Sequence, residues 1–283
     1  MSIQEKALLV QLSTHAWTGK KKDKQIGRDV CTRQNADADV VEAIIRLAPP
    51  GVLKPIDVAR GRVYRKHIEL TLPYLDNGLR ILPSAMYMEY RDKMKEVATL
   101  HTKAVNELDT VWPEILKNKA KRLGGLANKY RLPTVEEIKR RFYIKQDIMP
   151  IPTNADFSLF GISDEEIAEI ENKAKESMKN AMSETVKEVW RRLADLVVNI
   201  ASTMDEKDKK FHDSLIKKLK DFCATIPAYN VTDDPNLENV RKEVLTKLAN
   251  LDPEDLREIP NNRKKAAKDA KDVLDRIKDY MKQ

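Results

Sequence analysis

The chain has 283 residues, of which 41% are hydrophobic, 34% charged and 6% aromatic, with only 8 glycines and a net charge of +7. That length suits one large domain or two modest ones with a real core, and the shortage of glycine argues against a turn-rich β fold and against a glycine-rich nucleotide loop. No apolar run approaches the roughly 20 residues of a membrane span, the N-terminus has no signal-peptide pattern, and the distant Cys31 and Cys223 are expected as free thiols of a cytosolic protein.

Taken in order, KALLVQLS over 6–13 reads as a strand, and WTGKKKDKQ as a basic turn. A helix is expected over 22–34. A second is expected over 37–47, where Val40, Val41, Ile44, Ile45 and Leu47 offer an apolar face. Pro49, Pro50 and Gly51 end it. Residues 55–68 read as a helix opened by Pro55, with Ile56, Val63 and Tyr64 to one side and Arg60, Arg62, Arg65 and Lys66 to solvent. IELTLPYLDNGLRILP is a candidate hairpin, because Asp76, Asn77 and Gly78 favour a tight turn with positive φ. Pro73 and Pro83 limit its ladder.

From Ser84, a candidate N-cap, a long helix is expected. Its stripe is Tyr87, Tyr90, Met94, Val97, Leu100, Ala104, Leu108, Val111 and Ile115, with Pro113 near its end. Gly124 and Gly125 break the pattern. Thr134 and Glu137 form a capping box for a short basic helix over 134–141, and 142–152 looks extended. A loop is expected over 156–161. Ser163 with Glu166 is a second capping box, opening the clearest stripe of the chain: Ile167, Ile170, Ala174, Met178, Ala181, Thr185, Val189, Leu193, Leu196 and Ile200. Two stripes of this length invite an antiparallel helical pair. Further helices are expected over about 206–224, from Asp234–Pro235 to about 250, and over about 263–281. The expected class is mainly α with a minor β part: a long helical hairpin or bundle with a small β element near the N-terminal part. The expected organisation is an α+β portion over 1–83, a helical body over 84–225 with an added strand over 142–152, and a helical segment over 226–283.

Charge is unevenly spread. Residues 1–66 carry +6, residues 117–145 carry +8 and residues 263–283 carry +4, so the remainder carries about −11. Clustered base attracts polyanions; lysine-rich helix faces can also simply be solvated. Three groups combine base with aromatic residues: Trp17 with Lys20, Lys21, Lys22 and Lys24; Tyr64 with Arg60, Arg62, Arg65 and Lys66; and Phe142 and Tyr143 with Arg140, Arg141 and Lys145. Such combinations suit single-strand binding, with phosphates on the cations and bases stacked on Trp17, Tyr64 or Tyr143. The competing reading makes Trp17, Tyr64 and Phe142 core anchors, and for Trp17 it is the stronger one.

Catalytic patterns are missing. LGGLANKY over 123–130 has the glycines of a phosphate loop without its Gly-Lys-Ser/Thr ending. His15, His67, His101 and His212 do not stand at zinc-ligand spacing. Asp233–Asp234 and Glu165–Glu166 are better explained by helix starts. Asp76, Asp147 and Asp156 would need to converge to hold a catalytic metal. No cofactor or metal is expected.

Six segments, WTGKKK, TLPYLDNGLRILP, RRFYIKQDIMPIP, VWRRLADLV, FHDSLIKKLKDF and NVTDDP, resemble in the same order those of a family catalogued as domain of unknown function 3150. The resemblance covers about residues 6–250, and the second segment is its most specific piece. It implies a setting in bacteriophages, integrative elements and some bacterial chromosomes, near a MoxR-like AAA+ ATPase, a von Willebrand factor A-type protein, and replication or recombination genes. It carries no catalytic residue across. The expectation is a non-catalytic, DNA-associated accessory protein of the (host) cytoplasm, binding single strands during phage replication or recombination. The alternative is a helical adaptor that works with an AAA+ ATPase or assembles as a homo-oligomer.

Overall fold

A computed structural model describes residues 3–74, 78–151, 163–205 and 213–281. The first part of the chain forms α1 (Ile3–Lys6), β1 (Ala7–His15), β2 (Lys20–Asp23), α2 (Lys24–Arg33), β3 (Ala43–Arg46), α3 (Lys54–Leu70), β4 (Leu72–Pro73) and β5 (Leu79–Pro83). A 3₁₀ turn at Ser84–Met86 leads into α4 (Tyr87–Asn106), α5 (Leu108–Lys117), α6 (Lys119–Leu123), α7 (Val135–Lys139) and β6 (Tyr143–Pro150). The rest is helical: α8 (Asp164–Asp205), α9 (Asp213–Tyr229), α10 (Pro235–Val244), a π turn at Leu245–Ala249, α11 (Pro253–Glu258) and α12 (Pro260–Met281). The fold is therefore mainly α, with a minor β part.

The chain folds as two compact units. One, the helical unit, comprises Met1–Gln11, Leu70–Met88 and Asp147–Gln283; the other, the basic unit, comprises Leu12–Glu69 and Glu89–Gln146. Four strands form a sheet in the order β4-β5-β1-β6, and β2 and β3 form a separate ribbon.

In the helical unit, β1 runs antiparallel to β5, with Ala7 opposite Pro83 and Gln11 opposite Leu79. The expected hairpin is present: β4 pairs antiparallel with β5, and Gly78 has φ +84°. Asp76 and Asn77 lie outside the described residues, as do the expected loop over 156–161, the start of the helix expected from 206, and His212. The Ser163–Glu166 capping box forms, with Glu166 N–H donating to Ser163 Oγ at 3.3 Å and Ser163 N–H to Glu166 Oε2 at 3.1 Å. It opens the 42-residue α8. The stripe along α8 is buried at Ala181, Thr185, Val189, Leu193 and Ile200. The helices that pack along it are α12 and α9. Thr185 Oγ1 donates to Pro73 O at 2.6 Å, and Arg192 donates to Thr71 O at 2.8 Å, tying α8 to β4. Asp234 caps α10 through Asn236 N–H at 2.9 Å, and Trp190 stacks on Tyr280 at 5.6 Å.

In the basic unit, the helix expected over 37–47 is not formed; Ala43–Arg46 is strand β3. The basic turn also shortens, because Lys20–Asp23 is strand β2. The two strands pair antiparallel from Lys20↔Arg46 to Asp23↔Ala43. β-Branched Val and Ile residues fit a pleated strand better than a helix, and the local apolar face fails as a core face, since Val40 and Ile44 are 66% and 57% exposed. In the helical unit, Ser84 starts a 3₁₀ turn without a side-chain cap.

The stripe of α4 and α5 also differs from expectation. Its buried residues are Tyr90, Met94, Val97, His101, Val105, Leu108, Trp112 and Ile115, whereas Leu100 and Val111 are exposed. His101 and Trp112 hold core positions that apolar patterning passes over. Trp112 Nε1–H donates to Pro133 O at 2.8 Å, which satisfies its polar atom. Burial, with the Arg60 charge beside it, lowers the His101 pKa and favours the neutral ring. The core around Trp112 includes Leu47, Ile56, Leu108, Tyr130, Ile138 and Phe142. The Thr134–Glu137 capping box forms as expected.

Gly27 in α2 lies against the chain entering β3: a Cβ there would stand 2.5 Å from Val41 O. Gly→Ala inside a helix ordinarily stabilises by about 0.5–1 kcal/mol. At this position the sign reverses, because backbone must move. Gly27→Ala is expected to destabilise by about 1–3 kcal/mol, measured by urea denaturation; a more stable variant would contradict this packing.

Candidate nucleic-acid interface

The β2–β3 ribbon sorts the candidate interface residues by the two-residue period of strands. Lys20 and Lys22 share one face with Arg46 and Ile44, and that face is open to solvent. Lys21 and Asp23 share the other. There Lys21 Nζ lies 5.6 Å from the centre of the Tyr130 ring, and Asp23 is buried. The open end of the ribbon is held by one carbonyl: Gly19 O accepts from Leu47 N–H at 2.7 Å and Ala48 N–H at 3.1 Å. Gly19 has φ +69°, and a Cβ on it would meet Ala48 Cβ at 2.7 Å, so both conformation and space require glycine. From α6, Arg122 donates to Arg46 O and Ala48 O, each at 2.9 Å, pinning the same stretch of β3 from outside.

These restraints shape a cleft of about 690 Å³ between the β1–β2 connection, the 46–53 segment and the first turns of α3. Lys20, Arg46, Lys54 and Arg60 line it, with Asp57 as its acid. Arg60 pairs with Asp57 at 3.5 Å, and its Nε is buried with no hydrogen-bond partner among the described residues. His15 and Trp17 complete one wall. His15 Nδ1 donates to Arg141 O at 2.7 Å; a carbonyl only accepts, so this bond fixes the proton on Nδ1. The His15 ring stacks on Tyr143 at 5.4 Å. Trp17 is half-buried, edge-to-face with Trp112 at 5.7 Å, with the Arg141 guanidinium 5.5 Å from its ring centre. It is a wall anchored in the core rather than a free platform.

All fourteen residues singled out from the sequence lie in the basic unit. That unit has 26 lysines and arginines against 15 acids, a net +11, which leaves −4 for the rest of the chain. The cleft gathers only three of the fourteen: Trp17, Lys20 and Arg60. Lys22 is engaged by Glu42 and Lys66 by Glu69. Lys24, Arg62, Arg65, Arg140, Arg141 and Lys145 are exposed. Tyr64 and Tyr143 are 58% and 50% exposed, so neither is a core anchor, whereas Phe142 is buried. Arg46, Lys54, His15 and Arg122 escaped the sequence reading. Arg46 comes opposite Lys20 only once 43–46 is a strand, and the remaining three carry no local pattern. His67 is buried and bonded to the Tyr90 hydroxyl at 2.9 Å.

Among the described residues no group of three or more His, Cys, Asp or Glu gathers as a metal site, and no helix is long and apolar enough to cross a membrane. Cys31 and Cys223 are buried free thiols, and burial pushes Cys223 up to about 11. No family model, curated protein or solved structure matches the chain, so the family resemblance rests on the sequence segments alone.

Asp23 is the buried acid beneath this basic surface. Lys129 Nζ at 2.7 Å, the Tyr130 hydroxyl, and the N–H groups of Ile26 (3.1 Å) and Gln25 (3.0 Å) all donate to it. Lys129 foremost, then Tyr130, holds its carboxyl well below the usual carboxylate range. The sign follows from linkage: a depressed folded pKa stabilises above the unfolded value of about 3.9, and this is lost as pH falls. Asn caps helices as well as Asp, so Asp23→Asn isolates the charge. The variant is expected to be less stable than the parent at pH 7, with a gap that narrows below about pH 4. Thermal unfolding at pH 7 and pH 2.5 checks this; a gap of constant size would contradict it.

Proposed function

We propose that this chain is a non-catalytic nucleic-acid-binding protein that holds single-stranded DNA on its basic unit, as an accessory to phage replication or recombination. The observation that carries the reading is the charge segregation: +11 on the unit that holds every basic–aromatic group and −4 on the remainder. Cations spread over β2, α3 and β6 suit a phosphate backbone, whose contacts give affinity without sequence preference. The exposed rings of Tyr64 and Tyr143 suit unstacked bases, which a duplex does not offer. The phage setting itself comes from the family resemblance.

A titration of oligo(dT) at several salt concentrations tests it. With four or five phosphates engaged, log K against log salt is expected to fall with a slope of roughly −3. Tyr143→Leu is expected to weaken single-strand binding about tenfold while leaving the salt slope unchanged. Absence of binding at low salt would overturn the proposal.

A second reading, a helical adaptor, is favoured by the first half of α8. There Ile170 is 38% exposed and Ile167, Ala174 and Met178 are only half-buried, in contrast to the closed stripe beyond Ala181. That face suits a second copy of the chain or a partner such as an AAA+ ATPase. Light scattering decides for the copy: the reading predicts a dimer or larger species that Ile170→Glu dissociates, and a monomer at high concentration counts against self-assembly.

A further inference from the structure

Like charges directly opposite one another on antiparallel strands destabilise a ribbon, because their Cβ atoms stand only about 4.5–5.5 Å apart. Lys20 and Arg46 are such a pair. Both line the cleft and both are exposed, and neither has an acidic partner within ion-pair distance among the described residues. Lys54, on the opposite wall, likewise has none. The adjoining strand positions show that the ribbon does neutralise charge elsewhere: Lys22 is engaged by Glu42. Arg60 adds a buried donor without an acceptor among the described residues, which is costly to leave unsatisfied. Among the described residues the four cations face one acid in the cleft, Asp57, already paired with Arg60. A dianionic group bound between Lys20, Arg46 and Lys54 would relieve the repulsion. The cleft, at about 690 Å³, also exceeds what a lone phosphate fills, and its further wall is the Trp17 and His15 rings.

We propose that this cleft is a nucleotide seat, in which Lys20, Arg46 and Lys54 hold the phosphoryl group and the base lies against the Trp17–His15 wall. It deepens the strand-binding reading by naming where one nucleotide docks, yet it stands by itself if the ligand is a free nucleotide. The two sources share their chemistry and are separated by competition.

The test is calorimetric titration of the full chain with thymidine 5′-monophosphate, alongside thymidine, inorganic phosphate and oligo(dT). Arg46→Glu is the informative variant: it turns the repulsive pair into an attractive one, so it is expected to raise the unfolding temperature while reducing nucleotide affinity by a factor of ten or more. Arg28→Glu, which makes the same charge change at an exposed position of α2 outside the cleft, is expected to leave nucleotide affinity within about twofold. Thymidine is expected not to bind. Displacement of the nucleotide by oligo(dT) supports a strand as the source. Binding that oligo(dT) does not displace keeps the seat, assigns it to free nucleotides and counts against the strand reading. Equal losses for Arg46→Glu and Arg28→Glu, or no nucleotide binding, overturn the proposal. Inorganic phosphate binding as tightly as the nucleotide overturns the base contact.

Discussion

The basic unit depends on a short ribbon that the sequence does little to favour. Three lysines in a row make a poor strand, and Lys20 faces Arg46 across the ladder. The pairing persists because its two ends are fixed from outside. At one end the Gly19 carbonyl takes two backbone N–H groups, and Arg122 clamps the carbonyls of Arg46 and Ala48. At the other, Asp23 is buried under Lys129 and Tyr130 and caps α2. The ribbon is thus supported by its neighbours and presents cations on one side.

Electrostatics follow from that frame. The acid that the ribbon needs is turned inward, so its charge offsets Lys129 rather than the lysines on the open face. The helical unit carries the acid excess of the chain and builds its core from α8, α9 and α12 without calling on the basic–aromatic groups. Net charge and scaffold are thereby separated along the sequence: residues 12–69 and 89–146 carry the positive excess, and the long helices carry the scaffold of the other unit.

Much of the fold was legible where one local rule dominated. Both capping boxes, the Asp234–Pro235 helix start, the hairpin at Gly78 and the α8 stripe depend on residues within a few positions of each other. The misread pieces depend on distant partners. Residues 43–46 have a helix-like apolar set, but their hydrogen bonds go to β2, about twenty residues earlier in the chain. The α4–α5 stripe turns by one residue because a histidine and a tryptophan serve as core, each made acceptable by surroundings that the sequence does not display. The basic groups were legible as composition. Their gathering into one unit, and the pairing of Lys20 with Arg46, came only from the fold.

Strand binding by the basic unit requires particular residues to touch the strand. Ultraviolet cross-linking of oligo(dT) to the full chain, read by peptide mass spectrometry, measures this. Cross-links at Tyr143, Tyr64 and the His15–Trp17 segment are the predicted result. Cross-links confined to the helical unit, for instance at Trp190 or Tyr280, would contradict it.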